Sequence, residues 1–275
     1  MIRALAVPLA LAGCAQAPAP SLPQLPVRPM RIVSLDYCAD QYALKLVARD
    51  RILALSPDAQ SDFSYMRKAA RGVASVAPRA EDVLVLRPDL VIRSYGGGPG
   101  VAAFLEKAGV PVLQIGYASD IAGVRQTLVD VAEGLGEPVA GERVAVQMDA
   151  RLAALRRRPM KQTALYMTPG GVTTGAGTLV DEMLRTAGYR NFQRDSGWQP
   201  LPLERLAYGG PDVVAAAFFG SRTNHPDRWS AARHPIARAQ LRDRPVVGIE
   251  GAWTACGGWF LLDAIEALAN AGARR

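Results

Sequence analysis

A chain of 275 residues that is 49% apolar and 21% charged, with 26 Gly, 20 Pro and 3 Cys, is neither disordered, collagen-like nor a disulfide scaffold. Its length accommodates one large or two medium domains with a real core. The formal charge of +7 arises from 32 Lys+Arg against 25 Asp+Glu, but the arginines are spread out, with Arg156-Arg157-Arg158 the only internal cluster, so the concentrated basic stripe of a nucleic-acid binder is missing.

Residues 1–14, MIRALAVPLALAGC, set one Arg before an apolar stretch, Ala4–Ala12, that falls short of the ~20 residues of a bilayer span. This reads as an export leader. Leu11-Ala12-Gly13-Cys14 resembles the lipobox of bacterial lipoproteins, with Cys14 as the lipidated residue and the protein lipid-anchored in the periplasm; an ordinary cleaved signal peptide is the alternative. Residues 15–29 are proline-rich, which favours extended polyproline II and predicts a spacer, so the folded part is expected to begin near Met30.

From there short β-rich runs alternate with helical stretches. Strands are predicted at Arg31–Leu35, Ile52–Leu55, Leu90–Arg93 and Val112–Ile115, and helices near Ala39–Val47, Asp62–Ala70, Val101–Lys107 and Ile121–Leu135. That punctuation implies a parallel sheet covered on both faces. A second set has strands at Thr163–Met167, Val213–Phe218 and Val246–Ile249, with helices near Thr178–Ala187, Leu203–Ala207 and Gly258–Ala269. Between the sets, Val144, Met148, Leu152 and Leu155 recur at helical spacing, and Pro138 and Pro159 suit a start and an end. The predicted organisation is a leader 1–14, a linker 15–29, an N-terminal lobe 30–137, one interlobe helix 138–159 and a C-terminal lobe 160–275.

An internal repeat supports two lobes. Glu81 through Val91 and Glu204 through Val214 both carry Glu, then Pro-Asp seven residues later, then a buried strand. Glu favours the first turn of a short helix, and Pro-Asp forces a tight entry into the strand. Two cysteines besides Cys14 remain, Cys38 and Cys256; a disulfide between them and a pair of buried free thiols are both compatible with export.

Several passages, in this order, resemble the iron-chelate and vitamin B12 class of periplasmic substrate-binding proteins, the receptors of ABC importers. They are Arg31–Leu35, Arg51–Ser56, Glu81–Val91 with its Pro-Asp-Leu-Val, Gly109-Val110-Pro111-Val112, and Gly175–Thr178 leading to Ala187–Asn191. The resemblance covers nearly all of residues 30–270. It implies an α/β fold of two Rossmann-like lobes joined by a single long helix, the class III periplasmic binding protein fold, with a ligand in the cleft between lobes. It also implies that Glu81 and Glu204 dock on arginine pockets of a permease dimer, that the ligand is a metal chelate, and that no cofactor or catalysis is involved. The opening loop Asp36–Gln41 departs from the Pro-x-x-Thr-Glu form common in the family.

Ligands of open α/β sheets bind beyond the carboxyl ends of the strands. That rule selects Asp36-Tyr37-Cys38, Ser94-Tyr95 with Gly96–Gly98, Tyr117, Met167-Thr168-Pro169, Phe219–Arg222 and Gly251-Ala252-Trp253. The glycine run lacks a following Gly-Lys-Ser/Thr, so it reads as a turn that lets backbone approach a bulky ligand. Tyr37, Tyr95, Trp198 and Trp253 are expected to wall the site, with Thr168 and Arg222 as polar contacts; Trp198 and Trp253 resemble the cleft tryptophans of B12-binding members. Arg93 and Arg222 suit an anionic chelate. Only two histidines are present, so a bare-metal receptor is disfavoured, while haem could use Tyr65 or Tyr95 as an axial ligand. A corrinoid and a ferric siderophore both remain open. An exported α/β enzyme with a cysteine nucleophile is the rival reading; no Gly-x-Ser-x-Gly, His-Glu-x-x-His or Gly-x-Gly-x-x-Gly motif supports one.

Overall fold

A computed structural model describes residues 24–155, 161–217 and 230–273. The first half runs β1 (Ile32–Ser34), α1 (Tyr37–Leu46), β2 (Ile52–Ala54), α2 (Ala80–Val85), β3 (Leu90–Arg93), α3 (Val101–Lys107), β4 (Val112–Gln114) and α4 (Ile121–Gly134). Then α5 (Pro138–Ala154) leads into the second half: β5 (Thr163–Met167), β6 (Val172–Thr174), α6 (Leu179–Thr186), β7 (Arg190–Asn191), β8 (Trp198–Pro200), α7 (Leu203–Tyr208) and β9 (Val213–Ala216). It closes with α8 (Pro235–Asp243), β10 (Val246–Gly248), α9 (Gly251–Thr254) and α10 (Leu261–Ala273).

Two parallel sheets result, β2-β1-β3-β4 and β10-β9-β5-β7, each built from one half of the chain. Matching β5 to β1 and β9 to β3 makes the strand orders the same. The repeated Pro-Asp has the same task in each. The Asp89 carboxylate accepts hydrogen bonds from Met30 N at 2.7 Å and Arg31 N at 2.8 Å, tying the entry of β3 to the entry of β1. The Asp212 carboxylate accepts from Thr163 N at 2.7 Å and its hydroxyl at 2.8 Å, tying β9 to β5. The Thr163 amide, the leading cause, holds the Asp212 carboxyl below its ordinary range.

Pro138 opens α5, whose Val144, Ala145 and Met148 are buried on one stripe, each large side chain contributing about 1.5–3 kcal/mol. Gly141 has no room for a Cβ beside Ala132, which lets α5 close against α4. The helix ends at Ala154, because Leu155 turns extended and its amide bonds Leu152 O; the expected continuation over 156–159 lies outside the described residues. Arg151 then clamps α5 to α10, with bonds of 2.6 Å to Asp263 and 2.7 Å to Glu266.

Three other expectations change. Residues 62–70 form no regular helix; a series of short turns (Ser64 N to Ser61 O, Ala69 N to Met66 O) runs there, pinned because Gln41 of α1 donates to Ser64 Oγ and accepts from Met66 N. The last linker residues are not spacer: Pro29 O accepts from the buried Arg51 Nε at 2.7 Å, and the same guanidinium pairs with Glu137 at the start of α5. The helix α8 and the antiparallel pairing of β6 with β8 have no counterpart in the sequence reading.

The halves are joined by more than α5. The Cys38–Cys256 disulfide is formed, closing a ring over a separation of 218 residues. Tyr65 donates to Asp263 at 2.7 Å, Glu182 of α6 accepts from Ile121 N of α4 at 2.6 Å, and Tyr42 meets Trp259 edge-on. The largest buried cluster accordingly runs through both halves, from Ile32 and Leu90 to Tyr166, Phe260 and Leu268.

Candidate functional site

At the carboxyl ends of β1, β3 and β4, three loops meet the segment after α9 around a cavity of about 220 Å3. Tyr37, Cys38, Tyr42, Ser94, Tyr95, Ile115, Gly116, Tyr117 and Ala118 line it from one half, and Ala255, Cys256 and Gly257 from the other. The interlobe disulfide is therefore part of its wall. Drug-sized ligands occupy pockets of roughly 300–1,000 Å3, so this cavity of about 220 Å3 is too small to enclose a macrocycle.

Asp36 builds the rim. One carboxylate oxygen caps α1 by accepting Ala39 N at 2.9 Å; the other accepts the amides of Ser94 at 2.7 Å, Tyr95 at 3.0 Å and Gly96 at 2.9 Å. A buried carboxylate with four amide donors is fully satisfied, and it locks the β3 loop to the start of α1. The closeness explains Gly96: a Cβ there would collide with Leu35 O. Gly97 likewise faces Pro78 O and Val101, and it and Gly98 have positive φ. Gly96 and Gly97 thus serve close approach within the protein itself, while Gly98 has open space beside it.

On that rim Tyr37 is half-buried and Tyr95 is 53% exposed, their rings edge-to-face at 6.0 Å. Burial chiefly raises both phenol pKa values, and the Asp36 charge adds to it, so both stay protonated donors at neutral pH. Tyr117, at 82% exposed, completes an aromatic mouth. Tyr65, the other phenol the sequence offered to a haem, is not part of this lining: its hydroxyl donates to Asp263, its ring stacks on Phe260 at 4.7 Å, and burial first, Asp263 second, pushes its pKa up to about 12.

The remaining expected residues sit apart from this cavity. The Thr168 hydroxyl is spent on the β5–β6 turn, donating to Val172 O at 2.9 Å and accepting from Val172 N at 3.1 Å. Trp198, on β8, is 56% exposed and meets Tyr166 edge-on at 6.5 Å. Trp253, on α9, packs partly buried against the main core beside Thr254, which reaches the Tyr166 hydroxyl at 3.5 Å. Arg222 and Cys14 lie outside the described residues. Arg93 is buried on β3 and its Nε has no partner among the described residues. Glu81 and Glu204 are exposed in the first turns of α2 and α7. Sequence reasoning missed Tyr42, although its place four residues after Cys38 puts both on one helix face.

A second cavity, about 510 Å3, lies where the N-termini of α4 and α6 face each other. Its carboxylates are already engaged: Asp120 caps Gly123 N, Glu182 accepts from Ile121 N, and Asp181 accepts from Asn191. It is a polar seam between the halves. Among the described residues no group of three His, Cys, Asp or Glu could hold a metal ion.

The periplasmic binding protein family model matches residues 32–223, from β1 into the segment after β9. The chain belongs to this family. A member named cobalamin-binding protein, from Halobacterium salinarum, is 25% identical over 204 residues, covering 70% of this chain and 55% of its own length, so the chain spans little more than half of that relative. The vitamin B12-binding protein of Yersinia pseudotuberculosis is 27% identical over 199 residues, covering 68% of this chain and 69% of the other. Among solved members of the fold, a periplasmic heme-binding protein of Pseudomonas aeruginosa superimposes with a TM-score of 0.65 at 25% identity, covering 88% of this chain and 92% of that one. Two sheets of the same order with a helical connection are the family's class III architecture, and no helix among the described residues is long and apolar enough to cross a membrane.

Proposed function

We propose that this chain is the ligand-capturing receptor of an ABC importer for a metal chelate, with a cobalamin-type corrinoid as the first reading. The observation that carries it is the mouth made by Tyr37, Tyr95 and Tyr117 at the strand ends, above a floor where both halves meet. Flat, apolar surfaces with a few polar edges suit a macrocycle, which packs on aromatic walls and takes hydrogen bonds from protonated phenols. Trp198, largely exposed on the second half and edge-on to Tyr166, is a further aromatic face for the same ligand class. The cobalamin and B12 names of the two relatives support the same class.

Haem is the second reading, favoured by the exposed Tyr95 phenol and the heme-binding structural neighbour. The mechanism is capture and handover without covalent chemistry. The receptor works outside the cytoplasm, held by a lipid on Cys14, and presents Glu81 and Glu204 to the two halves of a permease dimer, where exposed carboxylates meet cationic pockets. Titration of intrinsic tryptophan fluorescence with cyanocobalamin, haemin and ferric siderophores tests it. Stoichiometric, sub-micromolar quenching by cyanocobalamin, weakened by Tyr95→Ala, is the expected result; tight binding of haemin alone transfers the assignment to the second reading, and binding of none overturns both.

A further inference from the structure

The two docking carboxylates do not stand alone on their helices. Counting from each Glu, α2 and α7 bury the equivalent anchor: Val83 and Leu206, two residues on, are buried at 0% and 4%. One residue on, Asp82 pairs with Arg79 at 2.7 Å, and Arg205 donates to Phe192 O at 2.9 Å. Four residues on, where an α-helix returns to the same face, stand Val85 at 80% exposed and Tyr208 at 96%. Each half thus shows the same pair, a carboxylate in no ion pair among the described residues and, one turn away, an apolar or aromatic side chain in water. A single exposed apolar residue needs no explanation, but the same one at the same place in two lobes, beside an unpaired carboxylate in a chain of net charge +7, does.

Resting on the reading that Glu81 and Glu204 dock on a permease, we propose that Val85 and Tyr208 are the apolar contacts of that dock. The permease presents a cationic group next to an apolar pocket, once in each half. The carboxylates steer and register the encounter, while burial of Val85 and Tyr208 supplies contact area and slows dissociation. A partner that repeats its pocket is what a protein with a repeated pair fits, and Tyr208 makes the second lobe the stronger anchor.

The test places a photo-crosslinking benzoylphenylalanine at position 85, 208 or, as a control on an exposed helix start, 139, in the full chain expressed in the cells that make it. Positions 85 and 208 should each yield an adduct with the same multi-spanning permease polypeptide, identified by mass spectrometry, and position 139 none. With the probe at 208, Val85→Ser should lower the adduct yield several-fold, and Glu81→Ala with Glu204→Ala should abolish it, all variants keeping wild-type thermal unfolding. Absence of permease adducts from both positions, or adducts only with a second copy of this chain, overturns the proposal. To separate the two readings, a probe at 80 or 203, beside each Glu, reports the dock itself: permease adducts there and none at 85 or 208 leave the carboxylate dock standing, and none anywhere removes the dock as well.

Discussion

The two lobes share a framework and differ at their rims. Both sheets run in the same order, and in both a Pro-Asp carboxylate staples the third strand's entry to the first strand's. After the first strand the lobes part. In the N-terminal lobe Asp36 gathers four amides and fixes Tyr37 and Tyr95. In the C-terminal lobe Thr168 occupies the same place, and its hydroxyl only closes a turn into the β6–β8 pairing. The framework carries stability in both halves, whereas an aromatic rim held by a buried carboxylate is built in one.

The sharpest way to break that comparison is to remove the two rim groups. Asp36→Ala leaves three loop amides without their acceptor and should cost about 4 kcal/mol in urea unfolding, with ligand affinity lost, while Thr168→Val should cost about 1 kcal/mol. Equal costs would mean that the rims are not different in kind. Next is the bond that joins them: Cys38→Ala with Cys256→Ala should lower stability by about 3 kcal/mol, measured without reductant, and reducing the wild type should reproduce it. An unchanged urea midpoint would show that α5, the Arg151 clamp and the other contacts between the lobes hold them together without the disulfide.

Asp40 gives a pH signature belonging to the N-terminal lobe. Buried and bonded to Ser56 at 2.6 Å, its carboxyl is raised to about 6, with burial the main cause and Asp36 a minor one. The folded state therefore prefers the protonated form. That contribution is complete below about pH 4, where the unfolded carboxyl is protonated too, and it is lost as pH rises through about 6, a change of about 2–3 kcal/mol. Asp40→Asn should flatten the stability profile over that window; a profile that keeps its slope would assign it elsewhere. The smallest effect is expected from Tyr65→Phe, which frees Asp263 from one of its partners and should cost about 1 kcal/mol in thermal unfolding while leaving haemin binding unchanged. Loss of haemin binding would return Tyr65 to the site.

Much of the framework was legible in the chain. The βα alternation follows from periodicity, α3 falls where the spacing put it, and the paired Glu and Pro-Asp positions mark equivalent elements because helix starts and strand entries have local chemical requirements. Tyr37 and Tyr95 could be nominated because ligand loops follow strand ends. Less legible were the elements whose form depends on distant partners. Residues 62–70 have helix-like spacing, yet Gln41 captures Ser64 and Met66 and holds the segment in turns. The glycine run after β3 looked like room for a ligand, yet Gly96 is crowded by Leu35 and Gly97 by Pro78 and Val101, all brought there by the fold.

The sequence by itself determined two similar α/β units, the helix that connects them and the exposed carboxylate of each, since these rest on interactions within a few residues. Only the tertiary structure decided which groups meet: Asp36 with amides some 58 to 60 residues away, Tyr65 with Asp263 at 198, and Cys38 with Cys256 at 218. The physical reason is that local periodicity records which face of an element is buried, not what it is buried against. The cavity floor and its disulfide belong to both lobes at once, so neither half's pattern contains them.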